Sequence, residues 1–230
     1  ELKIAYAWDE KSKLAKISVQ QTQKIGDNVL LFHVPLPVRF KADGQAVNHT
    51  LPITKLAEDY YFPLAKAPQI VRIDPDLTLL AKITFAPPPG QLHAQLADAT
   101  DALGRQQAVE LLAKRKDKTS VEKLTHVLRN DSFYGVRIAA SRALRGIATD
   151  AAHEALAGST DQPNAKVRSQ VVSDIASQPK PGALPHLKRI LDNEKNPAIR
   201  AQIVSRLAGH EDRQANRLIN QALGQASFRN

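Results

Sequence analysis

The sequence contains no cysteine and no methionine, and only 5% of its 230 residues are aromatic. Without thiols it cannot form disulfides, use a cysteine nucleophile or ligate a metal through sulfur, and its compartment is left open. No run of about 18 uncharged apolar residues occurs, so no segment reads as a membrane-spanning helix. The opening residues ELKIAYAWDEKSK lack the basic-then-apolar layout of a signal peptide. A translation product starts with methionine and this chain starts at Glu1, so a piece of a longer protein is expected. The shortage of aromatics fits tight contacts filled by Ala and Leu between helices.

Hydrophobic residues at 43% and charged residues at 24% fit a soluble chain with a real core. The length suits one large domain or two ordinary ones. The net charge of +9 is uneven: residues 1–90 carry 11 Lys/Arg against 9 Asp/Glu, and residues 91–230 carry 21 against 14. A basic array attracts acidic partners or nucleic acid. Here neither a dense basic tract nor an aromatic stacking platform accompanies the charge, so a solvated surface is expected and nucleic acid is not an expected partner.

From Leu2 to Phe85 the pattern has period two. Leu2, Ile4, Tyr6 and Trp8 alternate with Lys3, Ala5 and Ala7, and Leu14 to Val19 returns after the polar turn Asp9-Glu10-Lys11-Ser12. Further strands are predicted around 32–40, 47–53, 60–62, 70–73 and 79–85, a spacing that suggests a β-sandwich. Pro35 and Pro37 remove ladder donors, which predicts an edge or a bend for that strand. Asp43-Gly44 and Asp74-Pro75-Asp76 read as turns. The segment 86–90, Ala-Pro-Pro-Pro-Gly, reads as a stiff linker. The expected division is a β-sandwich domain over 1–88 and a helical repeat domain over 89–230.

After Gly90 the period becomes 3.6. Helices are predicted over 91–98, 104–114, 121–129, 133–147, 151–157, 164–176, 183–191, 198–207 and roughly 212–223, with Thr119 or Ser120 capping the third. The pair Val136-Arg137 returns as Val167-Arg168 and Ile199-Arg200, with Leu103-Gly104-Arg105 a weaker copy. The arginines stand 32, 31 and 32 residues apart. A near-constant period of that size is the mark of stacked helical hairpins. Asp98, Asp131, Asp161 and Asn193 precede these arginines by six or seven positions, where they can cap a helix or accept an arginine hydrogen bond. The pattern resembles HEAT-type repeats over 91–230. Arg105, Arg137, Arg168 and Arg200 are accordingly read as a structural inter-repeat ladder. The expected fold is a small β-sandwich followed by an α-solenoid of HEAT-like helical hairpins.

Catalytic motifs are not found. A metalloprotease helix needs H-E-x-x-H, which places two histidines on one face. His153-Glu154 fails because Ala157 stands where the second histidine belongs, and His210-Glu211 fails at Gln214. No G-x-S-x-G, P-loop or G-x-G-x-x-G occurs. His33, His49, His93, His126, His153, His186 and His210 show no ligand spacing, and His33 and His49 read as surface or satisfied histidines. No catalytic or metal residue is therefore expected in this chain, and the binding residues are unknown.

The combination of parts is more telling. The strand Ile17 to Gln23 with Pro35-Leu36-Pro37-Val38 resembles the domain after the catalytic domain in M1-family zinc aminopeptidases. Val71 to Leu80 resembles the close of that sandwich in the bacterial branch with a HEAT-like tail, and residues 95–115 and 131–147 continue the similarity. The resemblance implies a parent enzyme that trims N-terminal residues from peptides with one zinc ion and a glutamate-activated water. The zinc, the HExxH helix and the G-x-M-E-N type motif would lie upstream, so the resemblance assigns no cofactor to this chain. Its implied partners are its own N-terminal catalytic domain and, in the intact enzyme, peptides. A catalytically silent interaction scaffold of HEAT-repeat type, like the M1 relative of the transcription machinery, is the alternative. The sequence upstream of Glu1 would decide between them.

Overall fold

The computed structural model describes residues 1–27, 29–177, 182–208, 216–220 and 224. The chain divides into two compact units, Glu1–Ala108 and Val109–Asn230. The fold is a small β-sandwich followed by an α-solenoid of helical hairpins.

In the first unit seven strands form two sheets: β1 (Leu2–Asp9), β2 (Leu14–Gln21), β3 (Val34–Ala42), β4 (Gln45–Ile53), β5 (Ala57–Pro63), β6 (Ile70–Ile73) and β7 (Ile83–Phe85). One sheet has the order β5-β2-β1-β7 and the other β4-β3-β6. The period-two alternation decides which residues face inward. Leu2, Ile4, Ile17 and Val19 from one sheet share a buried cluster with Leu36, Val38, Phe40, Leu51, Ile53, Val71 and Ile73 from the other. The β1–β2 hairpin is closed by Asp9, whose Oδ1 accepts from the Lys11 and Ser12 amides. Asp43 and Gly44 both take positive φ, 49° and 76°, which suits the tight β3–β4 turn.

Two strand expectations differ from the structure. The proline-bearing strand β3 is central, between β4 and β6. Its pairing with β6 runs only from Val38 to Lys41, so Pro35 and Pro37 lie beyond that ladder. The Pro37 carbonyl still accepts from the Asp74 amide at 2.8 Å. The last strand is three residues long rather than seven. Upstream of it Asp74 folds the chain back, accepting from the Thr78 amide and hydroxyl at 2.9 Å and from the Leu79 amide at 3.0 Å.

Helix α1 (Pro89–Ala97) begins on the third proline of the predicted linker. A proline in the first turn loses nothing, because that N–H has no intrahelical partner. α2 (Ala102–Ala113) follows. The loop between them is tied to the sheets within the first unit. Lys41 Nζ donates to Asp98 at 2.6 Å and to Thr100 at 2.9 Å, and the Arg72 guanidinium pairs with Asp101. Arg72 is only 2% exposed, and its Nη2 also donates to the Pro75 carbonyl at 2.9 Å. A Cβ at Gly104 would run into the Arg72 guanidinium and the Asp101 carboxylate. That explains why the first copy of the repeat carries glycine where the later ones carry Val or Ile.

In the second unit the helices are α3 (Lys118–Asn130), α4 (Tyr134–Ile147), α5 (Asp150–Ala157), α6 (Ala165–Ala176), α7 (Ala183–Asn193) and α8 (Pro197–Ala208). They pair as α3/α4, α5/α6 and α7/α8. α4 then packs on α6, α6 on α8 and α3 on α5, which gives the two layers of a solenoid. α3 is capped by Asp117, which accepts from Ser120 N at 2.8 Å, and not by Thr119 or Ser120. Its apolar stripe Val121, Leu124, Val127 and Leu128 is buried as the period requires. Asn164 caps α6, and Asn196 accepts from Ala198 N at the head of α8, where Pro197 takes the first position. Of the predicted last helix, residues 216–220 are helical and 212–215 and 221–223 lie outside the described residues. Pro179 and Pro181 also lie outside them. No helix among the described residues is long and apolar enough to cross a membrane.

Two glycines in helices give substitutions of opposite sign. Gly146, exposed in α4, has open space around its Cβ position, so Gly146→Ala should stabilise by up to about 1 kcal/mol. Gly104→Ala should destabilise by roughly 1–3 kcal/mol through overpacking. Trp8, the only tryptophan, sits in the first unit and reports Gly104→Ala by fluorescence during denaturant unfolding, and circular dichroism reports Gly146→Ala.

Candidate functional site

The four ladder arginines sit early in the second helix of their hairpins or, for Arg105, in α2. A helix leaves its last four carbonyls without intrahelical donors. Arg105 Nη1 donates to the Asp98 and Ala99 carbonyls at 2.8 and 3.0 Å. Arg168 Nη1 donates to those of Gln162 and Pro163 at 2.8 and 3.1 Å, and Arg200 Nη1 to those of Leu191 and Glu194 at 2.6 and 3.1 Å. Each of these three thus reaches back to the turn before its own helix. Arg137 is half-buried, and its Nε is buried without a hydrogen-bond partner.

Arg168 also spans to the next hairpin. Its Nε and Nη2 donate to the Glu194 carboxylate at 2.7 and 3.2 Å in a fork-to-fork pair. Burial pushes the Glu194 carboxyl up, but the Arg168 hydrogen bond and the Asn196 amide outweigh it and leave it below its ordinary range. The acidic and amide residues that precede the arginines each make contacts of their own. Asp98 gives the arginine its carbonyl and keeps its carboxylate for Lys41 and Thr100. Asp131 accepts from the Phe133 amide at the head of α4, and Asn193 donates to the Arg189 carbonyl. Asp161 lines a cleft described below. Glu194, the carboxylate that Arg168 uses, stands one residue past the periodic position and was not singled out by spacing.

A second polar system joins the stacked helices α4, α6 and α8. Asp174 is fully buried; Ser141 Oγ donates to it at 2.6 Å, Gln170 Nε2 at 3.0 Å, and Arg145 Nη1 lies 3.4 Å away. Burial is the largest effect on its carboxyl and pushes it above the ordinary value, despite these donors. One repeat on, Ser169 Oγ donates to Gln202 Oε1 at 2.7 Å, and Gln202 Nε2 donates to Ser173 Oγ at 2.9 Å. These contacts fix the register of one hairpin on the next.

Concavities among the described residues include the following. A hollow of about 290 Å³ lies against β1, β2 and β5, lined by Lys3, Ser18, Glu58 and Asp59. A larger cleft of about 600 Å³ lies between the α5–α6 and α7–α8 turns, lined by Asp161, Gln162, Arg168, Arg189, Asn193 and Lys195 among others. Among the described residues no group of three His, Cys, Asp or Glu could hold a metal ion. His49 packs against Phe40 and Phe62, ring centroids 5.8 and 4.6 Å away, and His33 is exposed. On α5, Ala157 is buried at the place of a second zinc-binding histidine, and His210 lies outside the described residues.

The architecture is that of a β-sandwich with a HEAT-like helical array, and residues 91–172 match the family described as HEAT repeats. No curated protein matches the chain. Among solved structures, the chain is similar to Legionella pneumophila aminopeptidase A, crystallised in complex with aspartic acid. The TM-score is 0.60 at 11% identity, covering 96% of this chain and 33% of that one. This chain therefore spans a third of that enzyme's length, and the likeness is one of fold.

Two measurements test the electrostatics. Arg168→Ala should destabilise the helical unit by roughly 2–4 kcal/mol, because Glu194 is left buried and unpaired, and Arg168→Lys should recover only part of that. Asp174 has its carboxyl raised on folding, so the folded state holds the proton more tightly and stability falls as pH rises above the ordinary aspartate range. Asp174→Asn should therefore unfold at higher denaturant than wild type at pH 7. The difference should shrink as pH falls toward the ordinary value of 3.8.

Proposed function

We propose that this chain is the non-catalytic C-terminal region of an M1-type metallo-aminopeptidase, supporting the catalytic domain and restricting peptide access to it. The observation that carries this reading is the likeness of fold to the Legionella aminopeptidase, over nearly the whole chain and a third of the enzyme. The zinc and the glutamate base would then belong to another part of the parent protein. The residues here do not fit a zinc centre, since no set of ligands converges among those described.

An apolar corner of the sandwich supports a partner domain. In the loop between β2 and β3, Ile25, Val29, Leu30, Leu31 and Phe32 are exposed, Leu30 by 69% and Phe32 by 55%, and Leu56 is exposed beside the same corner. The loop is held in place by buried Gln21. Its Nε2 donates to the Phe32 and Lys55 carbonyls at 2.8 and 3.2 Å, and its Oε1 accepts from the Phe32 amide at 3.0 Å. So many large apolar side chains in one anchored loop mark a contact surface. We assign it to the catalytic domain.

The isolated chain should neither hold stoichiometric zinc nor hydrolyse aminoacyl arylamides, and zinc with turnover would sink the proposal. Mixed with the separately expressed upstream domain of the parent protein, it should form a complex. Replacing Leu30 and Phe32 by Asp should weaken that complex by roughly tenfold or more, with Trp8-reported unfolding unchanged. An upstream region without HExxH and a distal glutamate would leave the interaction-scaffold reading instead.

A further inference from the structure

The edge strands of the two sheets are protected unequally. β5 carries the charges Glu58 and Asp59, β7 is three residues long, and β6 packs against α1 and holds the buried Arg72. β4 has none of these protections. It is nine residues long with no charged side chain, and it pairs with β3 from Gln45 to Ile53 without a bulge. Proteins ordinarily blunt such an edge, because its free N–H and C=O groups accept another strand.

Which groups are free follows from the neighbouring ladder. The Gln69 and Asp74 amides donate to the Lys41 and Pro37 carbonyls, so these residues of β3 point toward β6. Alternation turns Val38, Phe40 and Ala42 toward β4, where they face His49, Val47 and Gln45. Ala46, Asn48 and Thr50 therefore direct their main-chain groups away from β3, and all three residues are exposed. At Pro52 the open stretch ends: proline has no N–H, and its carbonyl accepts from the Tyr60 hydroxyl at 2.7 Å.

We propose that this open edge pairs with the same edge of a second copy of the chain, antiparallel and centred on Asn48. That register sets Asn48 opposite Asn48 and Ala46 opposite Thr50 in both directions, for about six main-chain hydrogen bonds at two per facing pair. Pro52 falls opposite Gly44, beyond the strand, so its missing donor leaves nothing unpaired. Exposed Val47 comes to lie beside His49 of the second copy. A strand without charge meets itself without opposing like charges. Residues 1–90 carry 11 Lys/Arg against 9 Asp/Glu, so this part of the chain repels its copy little. The edge uses neither Leu30 nor Phe32, and it stands or falls separately from the aminopeptidase reading.

The test is sedimentation velocity on the full chain at rising concentration, with hydrogen exchange of the Ala46, Asn48 and Thr50 amides read by NMR. Dimers should form with a dissociation constant on the order of 10–100 µM, as suits a contact smaller than a standard interface, and those amides should gain protection with concentration. Ala46→Glu with Thr50→Glu sets like charges opposite each other and should weaken the dimer by roughly tenfold. Ala46→Glu with Thr50→Lys sets opposite charges there and should keep it. Both positions are exposed, and Trp8 fluorescence reports that the variants remain folded. A chain that stays monomeric, a dimer that the paired glutamates leave intact, or protection of these amides only when the upstream domain of the parent protein is added would overturn the proposal.

Discussion

The helical part of this protein depends on what is done with the main-chain carbonyls where one helix turns into the next. A turn between packed helices holds main-chain carbonyls partly away from water, and those carbonyls need donors. Arg105, Arg168 and Arg200 supply them from one guanidinium nitrogen each, reaching over the turn. A guanidinium suits this role because it is always charged and presents several N–H groups in a fixed plane. Arg168 uses the remaining edge of that plane to hold Glu194, so one side chain both closes its own hairpin and fastens the next.

The sandwich meets a related problem by different means. Its core is assembled from alternating side chains of two sheets, and the outward side of β6 is covered as well: Ile70 and Arg72 are buried there beside Val71 and Ile73. Burying an arginine is tolerable only with a partner, and Asp101 and the Pro75 carbonyl provide it. The result is a sheet joined by side-chain charge to the α1–α2 loop, within the same unit.

The parts that were legible in the sequence are those governed by periodicity. Leu2, Ile4 and Tyr6 announced a strand, and Val121, Leu124, Val127 and Leu128 a helix face, because burial on one side imposes a repeat of two or 3.6. The recurrence of Val136-Arg137 announced stacking for the same reason. Singular features were not legible. Central placement of the proline-rich β3 depends on β6 pairing with only half of it, which is a property of another strand. The buried Asp174 is indistinguishable in sequence from an aspartate on a polar face, since Ser141 lies 33 residues away. Gln162 and Lys195 of the turn cleft carry no motif, and only the fold brings the two turns together. The recurring arginines were visible as a pattern, but the main-chain carbonyls that Arg105, Arg168 and Arg200 reach were not, because no side-chain pattern reveals them.

Gly104 sets the first copy of the repeat apart from the later ones. The later copies carry Val136, Val167 or Ile199 before the arginine, each of them buried. A valine in place of Gly104 would meet the Arg72 guanidinium and the Asp101 carboxylate, so both side chains would have to move. Exchanging the first copy for a later one would therefore disturb the Arg72–Asp101 pair, a contact made within the first unit.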